Sequence, residues 1–144
     1  MNDLRALLLG AWTLERHVSG GHVMTGTARF EPRTDGLLHY SEAGMSQLHG
    51  AARPLAFSRH YLYEIDGATL RVFFTETPPR LFQHVDLAPD AAGWSGDGTH
   101  LCAPDTYRSR YRFHRAGPLL ISHAVTGPRK DYIIETQLTR AAAT

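Results

Sequence analysis

The chain has 144 residues, of which 42% are hydrophobic and 20% charged. This is the size and balance of one globular domain, expected here over 1–144, and it excludes disordered, collagen-like and coiled-coil classes. Fifteen basic residues against 14 acidic ones give a formal charge of +1, so no global field draws the protein to nucleic acid or to an anionic membrane. Lys130 is the one lysine among those fifteen; the other fourteen are arginines. With Cys102 as the single cysteine, no disulfide can close within the chain. No apolar run reaches the length of a membrane helix, and the N-terminus lacks the pattern of a secretion signal, so the expected location is cytoplasmic.

The elements follow in chain order. Asp3 caps a short helix whose Leu4, Leu7 and Leu8 share one face and which Gly10 ends. Helical periodicity then stops. Alternating segments are expected at Ala11–Val18, His22–Arg33, Leu37–His49, Leu55–Asp66, Ala68–Thr77, Arg80–Leu87, Thr99–Ala103, Thr106–Arg115, Pro118–Thr126 and Lys130–Arg140. Short turns such as Ser19-Gly20-Gly21 and Asp66-Gly67 suit hairpins, and Ala88–Gly98 is expected as a wide loop. About ten antiparallel strands joined by hairpins imply an all-β fold. The favoured form is a closed up-and-down β-barrel with a short N-terminal helix, because closure removes the sheet edges; a sandwich is the alternative.

Strand parity supplies the expected lining. In the last strand Lys130, Tyr132, Ile134, Thr136, Leu138 and Arg140 share the inward face. The same rule turns in Trp12, Arg16, Tyr40, Glu42, Arg59, Tyr61, Tyr63, Phe82, His84, His100, Cys102, Tyr107, Tyr111 and His123. Charged and phenolic groups buried without partners each cost about 1–3 kcal/mol, so water or a ligand is expected among them.

The opening Gly10-Ala11-Trp12 resembles the Gly-x-Trp that starts the first strand of lipocalins. Arg140 stands where lipocalins and fatty-acid-binding proteins place an arginine across that tryptophan, which implies barrel closure by Trp12 and Arg140. The runs His100-Leu-Cys102-Ala-Pro-Asp105-Thr-Tyr107 and Gly127-Pro-Arg-Lys130-Asp-Tyr132, with Tyr40-Ser-Glu42-Ala-Gly44 and Arg59-His-Tyr61, extend the likeness over essentially the whole chain. They are similar to an uncharacterised bacterial family of lipocalin-like (calycin) domains of unknown function. The resemblance implies the barrel and marks residues; it implies no reaction.

Several chemistries follow from the marked residues. Lys130, near the rim, suits an anionic ligand group or an imine, or an ion pair with Glu42 or Asp105. His100 and Cys102 two residues apart suggest a reactive pair or part of a metal site; the favoured reading is a hydrogen-bonded His100 and a packed thiol beside a turn capped by Asp105. Arg59 with Tyr61 suits a carboxylate or phosphate clamp, unless Glu42 neutralises it. Arg108, Arg110 and Arg112 read as a solvated outer stripe. No hydrolase elbow, zinc-protease motif or phosphate loop is present, and no metal is expected. The expected function is binding of an anionic aromatic or conjugated metabolite in a polar-aromatic cavity lined by Arg16, Tyr40, Glu42, Arg59, Tyr61, His84, His100, Cys102, Asp105, Tyr107, Tyr111, His123, Lys130 and Tyr132. Two alternatives stand beside it: a haem barrel with one axial histidine from His84, His100 or His123, and a small enzyme using His100 and Asp105 with a tyrosine as acid and base. No cofactor is expected otherwise, and the chain is expected as a monomer or homodimer.

Overall fold

The computed structural model describes residues 3–48 and 50–142; His49, placed at a strand end from sequence, lies outside them. Helix α1 covers Asp3–Leu8. Eleven strands follow: β1 Gly10–Val18, β2 His22–Pro32, β3 Leu38–Leu48, β4 Leu55–Asp66, β5 Thr69–Phe74, β6 Arg80–Asp86, β7 Ala88–Pro89, β8 Gly93–Cys102, β9 Asp105–His114, β10 Leu119–Thr126 and β11 Asp131–Arg140. All pairings are antiparallel, in the order β6-β5-β4-β3-β2-β1-β11-β10-β9-β8-β7. Every neighbour in that order is also a chain neighbour except β1 and β11, whose pairing from Trp12↔Arg140 to Val18↔Ile134 brings the two ends of the chain together.

The barrel is nearly closed. Its seam lies between β6 and β8, which approach without sharing a ladder. Gly96 and Gly98 make this approach possible: a Cβ at Gly96 would stand 2.7 Å from the carbonyl oxygen of Asp86, and one at Gly98 2.5 Å from Oε1 of Gln83. At Gly96 the obstacle is backbone, which only glycine accommodates; at Gly98 it is the buried Gln83 side chain, with His84 O at 3.1 Å behind it. The wide loop expected over Ala88–Gly98 is therefore corrected, since β8 starts at Gly93 and the two-residue β7 raises the expected ten strands to eleven.

Helix α1 is too short to hold itself together, so its last turn must be held from outside. Nε1 of Trp12 donates to Leu8 O at 2.9 Å, while Nη1 and Nη2 of Arg140 donate to Leu9 O and Leu7 O at 2.8 and 2.6 Å. The guanidinium also lies 3.9 Å above the Trp12 ring. Leu4 and Leu8 are buried with Trp12, Leu14, Phe30, Phe113 and Leu138, which shuts this end of the barrel. Gly10, at φ +115°, turns the chain from helix into β1.

Parity holds along most strands and fails at one. Opposite β5 the register moves from Val72↔Gln83 to Phe73↔Leu81, leaving Phe82 as an extra residue. A bulge of this kind reverses the faces beyond it. Phe82 and Gln83 are consequently both buried, Val85 is buried, and His84 faces out. The expected inward position of His84 is thus corrected: its side chain is 44% exposed and lies 3.5 Å from Asp86.

Candidate functional site

The middle of the barrel is filled by charge. Arg16 on β1 and Glu42 on β3 meet through two parallel bonds, Nη1 to Oε1 at 2.9 Å and Nη2 to Oε2 at 2.5 Å. Nε of Arg16 donates to Thr136 Oγ1 on β11 at 2.7 Å, and the Tyr40 hydroxyl donates to Glu42 Oε2 at 2.5 Å. All four residues are buried. Each side chain is placed by parity from a different position around the wall, so three strands, β1, β3 and β11, are tied through the interior. Burial and the Glu42 carboxylate hold the Tyr40 phenol well above its usual range, and Tyr63 and Tyr111 are likewise raised, mainly by burial. All three are therefore neutral hydroxyls at ordinary pH.

Above this network the wall turns aromatic. Tyr61 stacks with Phe82 at 5.9 Å between centroids, and Phe82 also meets Phe74, His100, Tyr107 and His123 at 4.9 to 5.8 Å. Tyr61, Phe74, His100, Tyr107 and His123 are only partly buried, so they form the upper, open part of the barrel. Nδ1 of His123 lies 2.6 Å from Ser109 Oγ, which is 2.8 Å from Nε2 of Gln83. Burial, then the charges of Arg16 and Arg59, push the His123 imidazole down to about 4. Nε2 of His100 is buried with no hydrogen-bond partner, and its imidazole is lowered by burial and then by Arg80.

Arg16, Tyr40, Glu42, Arg59, Tyr61, Tyr63, Phe82, Tyr111, His123 and Thr136 line one void, but it is small, about 20 Å³. Space for roughly one water-sized group remains where a roomy cavity was expected, because the Arg16–Glu42 pair and the tyrosines fill the interior. Arg59 stands directly opposite Glu42 in the ladder, and of its two expected roles, anion clamp or partner of Glu42, the second does not hold: Glu42 is engaged by Arg16, and among the described residues Arg59 makes no ion pair or hydrogen bond. It is exposed at the rim, so water satisfies it.

The rim explains the Gly127-to-Tyr132 run. Nζ of Lys130 lies 3.0 Å from Asp105 Oδ2 and 6.0 Å from the centre of the Tyr107 ring. Gly127 leaves room for that carboxylate, since a Cβ there would stand 2.1 Å from Asp105 Oδ1. The lysine and glycine therefore latch the β8–β9 hairpin to the β10–β11 hairpin. The Asp105 hydrogen bond, with the Tyr107 ring, raises the Lys130 ammonium, which disfavours imine formation. With Asp105 so engaged, it does not meet His100 as an acid–base partner. Cys102 is exposed and is corrected as a lining residue and as half of a reactive pair, because it lies at the last position of β8, beyond the enclosed part of the barrel. Tyr132 is half-buried at the same rim, opposite Val125. Among the described residues no group of three or more His, Cys, Asp and Glu is arranged to hold a metal ion.

Two residues of the site escaped the sequence reading. Ser109 lies between Tyr107 and Tyr111 on the inward face of β9, so parity alone was signal enough. Gln83 had no such signal, because only the bulge turns it inward. A larger depression, about 550 Å³, lies on the outside of β1 and β9–β11. It carries charges of both signs, Glu15, Glu135, Arg110 and Arg112, with Glu15 bound to His17 at 2.8 Å and Arg110 to Asp97 at 3.0 Å. The stripe of Arg108, Arg110 and Arg112 is outward, as expected.

The state of His123 gives a pH dependence of known sign. Folding favours its neutral form, so its contribution is complete above about 6.5 and is lost as pH falls from there toward 4, where the unfolded chain binds a proton that the folded one refuses. Urea unfolding across this window is expected to show a loss on the order of 3 kcal/mol from this group. His123→Phe flattens that part of the profile; an unchanged slope would place the imidazole in water.

No curated protein matches the chain. Among solved structures, a redesigned beta barrel, mFAP1, bound to DFHBI, is similar at 13% identity with a TM-score of 0.51, covering 94% of this chain and 96% of that one. A second redesigned beta barrel, mFAP0, also bound to DFHBI, has 13% identity and a TM-score of 0.46 over 93% and 99% of the two chains. At such identity the likeness to mFAP1 concerns the fold. Residues 8–140 match one family model, described as a family of unknown function.

Proposed function

The chain belongs to the DUF6314 family of unknown function, and from the geometry of its open end we propose that it binds a small organic anion with a flat, conjugated body at the barrel mouth. One observation carries the reading: Arg59 faces an aromatic-lined void and has no counter-charge among the described residues. Arg16 and Glu42 cancel one another, so the net charge presented to a guest is positive. The charged end of the guest would meet Arg59, while its ring would lie against Tyr61, Phe82 and Tyr107, part of it in water. Occupancy of a barrel by a small molecule in mFAP1 is consistent with this use of the fold. Haem draws less support. The void beside His123, about 20 Å³, is far below the roughly 300 Å³ at which ligand pockets begin.

Calorimetric titration with benzoate and with its neutral analogue benzamide tests the proposal. Benzoate should bind and benzamide should not, and Arg59→Ala should weaken benzoate binding about tenfold or more, the usual worth of a charge-assisted hydrogen bond. Arg29→Ala, on the outer face of β2, should leave it unchanged. Equal binding of benzamide, or an Arg59→Ala variant with full affinity, would overturn the reading.

A further inference from the structure

Four groups on residues that line the void have hydrogen-bonding capacity but no hydrogen-bond partner among the described residues: the hydroxyls of Tyr61, Tyr63 and Tyr111 and Nε2 of His123. The proton on His123 is placed by its neighbours. Nε2 of Gln83 points at Tyr107 O, 3.4 Å away, and at Ser109 Oγ, 2.8 Å away. A carbonyl can only accept, so the amide nitrogen is the end that faces it. Ser109 thus accepts from Gln83, and Nδ1 of His123 at 2.6 Å is the one other partner of its hydroxyl among the described residues, so the arrangement that leaves no buried serine proton unpaired directs it to Nδ1. With Nδ1 accepting and the ring neutral, the imidazole proton sits on Nε2, the nitrogen that Ser109 leaves free on this lining residue of the void.

The rest of the lining has little left to offer as an acceptor. Glu42 receives three hydrogen bonds, two from Arg16 and one from Tyr40. An atom entering the void therefore meets the imidazole N–H, the three tyrosine hydroxyls and the uncompensated charge of Arg59. At about 20 Å³ the space takes one oxygen-sized group.

We propose that the inner end of the guest is a single acidic oxygen, that of a phenol or enol bound as its conjugate base, and that His123, held by Gln83 and Ser109, is the residue that selects it. This rests on the anion reading above and narrows it to a ligand class. A protonated hydroxyl could donate only to a tyrosine oxygen and would leave Arg59 without a counter-charge; the deprotonated oxygen accepts from the imidazole and the hydroxyls and meets Arg59 as a counter-ion. Ser109 and Gln83 are positioning residues, since they act only through the imidazole.

4-Nitrophenol reads both binding and ionisation in one absorption spectrum, because only its conjugate base is yellow. Titrated across pH with the intact protein, bound 4-nitrophenol is expected to ionise about one pH unit or more below the free compound, a tenfold preference for the anion. His123→Phe, which keeps ring volume, should abolish most of that shift. Ser109→Ala, which frees the ring to exchange tautomers, should reduce it, with thermal melts verifying that both variants fold. Bound 4-nitrophenol that ionises at or above its free midpoint overturns the inference, as does a full shift in both folded variants. If benzoate binds through Arg59 while 4-nitrophenol shows no shift, the inference falls and the anion reading stands. If neither compound binds, both fall.

Discussion

Glu42→Ala is expected to lower the unfolding free energy by about 3–5 kcal/mol, read as a drop in the urea midpoint at constant slope. The Arg16 side chain is 6% exposed and Glu42 2%, so the substitution leaves a guanidinium in the barrel interior with two of its N–H groups unpaired. It also removes the acceptor of the buried Tyr40 hydroxyl. The loss measures an orphaned charge and not the net worth of the pair, which desolvation largely offsets. Replacing both partners, Arg16→Met with Glu42→Leu, should accordingly recover most of the stability. The exposed pair Glu64 and Arg71, 2.6 Å apart but 37% and 35% accessible, offers the contrast: Glu64→Ala should cost less than about 1 kcal/mol. Similar losses for Glu42→Ala and Glu64→Ala would mean that the central pair is in contact with water.

Trp12→Ala carries the second large effect, expected at about 3–5 kcal/mol. The indole is 1% exposed in the core cluster with Leu4, Leu8, Phe30 and Leu138, so truncation leaves a cavity there. The substitution also deprives α1 of the bond to Leu8 O and Arg140 of the ring beneath it. Helix and barrel end should then come apart together. Amide exchange should therefore rise over residues 4–9 in the variant while β4 and β5 stay protected. Exchange confined to the substituted residue, with stability within about 1 kcal/mol of the parent, would show that the helix does not depend on this contact.

Both effects rest on residues that could be read from the sequence. Nine of the ten expected strands match observed ones to within a few residues at their ends, because period-two patterning and hairpin turns are local signals. The inward faces of β1, β3, β9 and β11 follow from the same alternation, which is why Trp12, Arg16, Glu42 and Tyr111 were legible. What failed was non-local. The bulge at Phe82 depends on how β5 and β6 pair, and it exchanges His84 for Gln83 on the inner face. Gly96 and Gly98 looked like turn residues when they serve the close approach of β8 to β6 at the seam. Alternation says which way Arg59 points, but not that Arg16 takes the carboxylate facing it in the ladder. Size was also illegible: a polar-aromatic lining can enclose a chamber or fill it, and here side-chain volume fills it to about 20 Å³. The lone lysine, suggestive in composition, proves to be a rim latch with Asp105.

Binding of a small anion at the mouth and binding in the outer depression would perturb different side chains. Proton–nitrogen NMR during a benzoate titration separates them most directly, by following the side-chain signals of Arg59, His123, Trp12 and Arg110. Saturable shifts are expected at Arg59 Nε and the His123 imidazole, with Trp12 Nε1 at the closed end and Arg110 outside the barrel unmoved. Saturable shifts at Arg110 and its neighbours with Arg59 and His123 silent, or no saturable shift at any of the four, would contradict binding at the mouth.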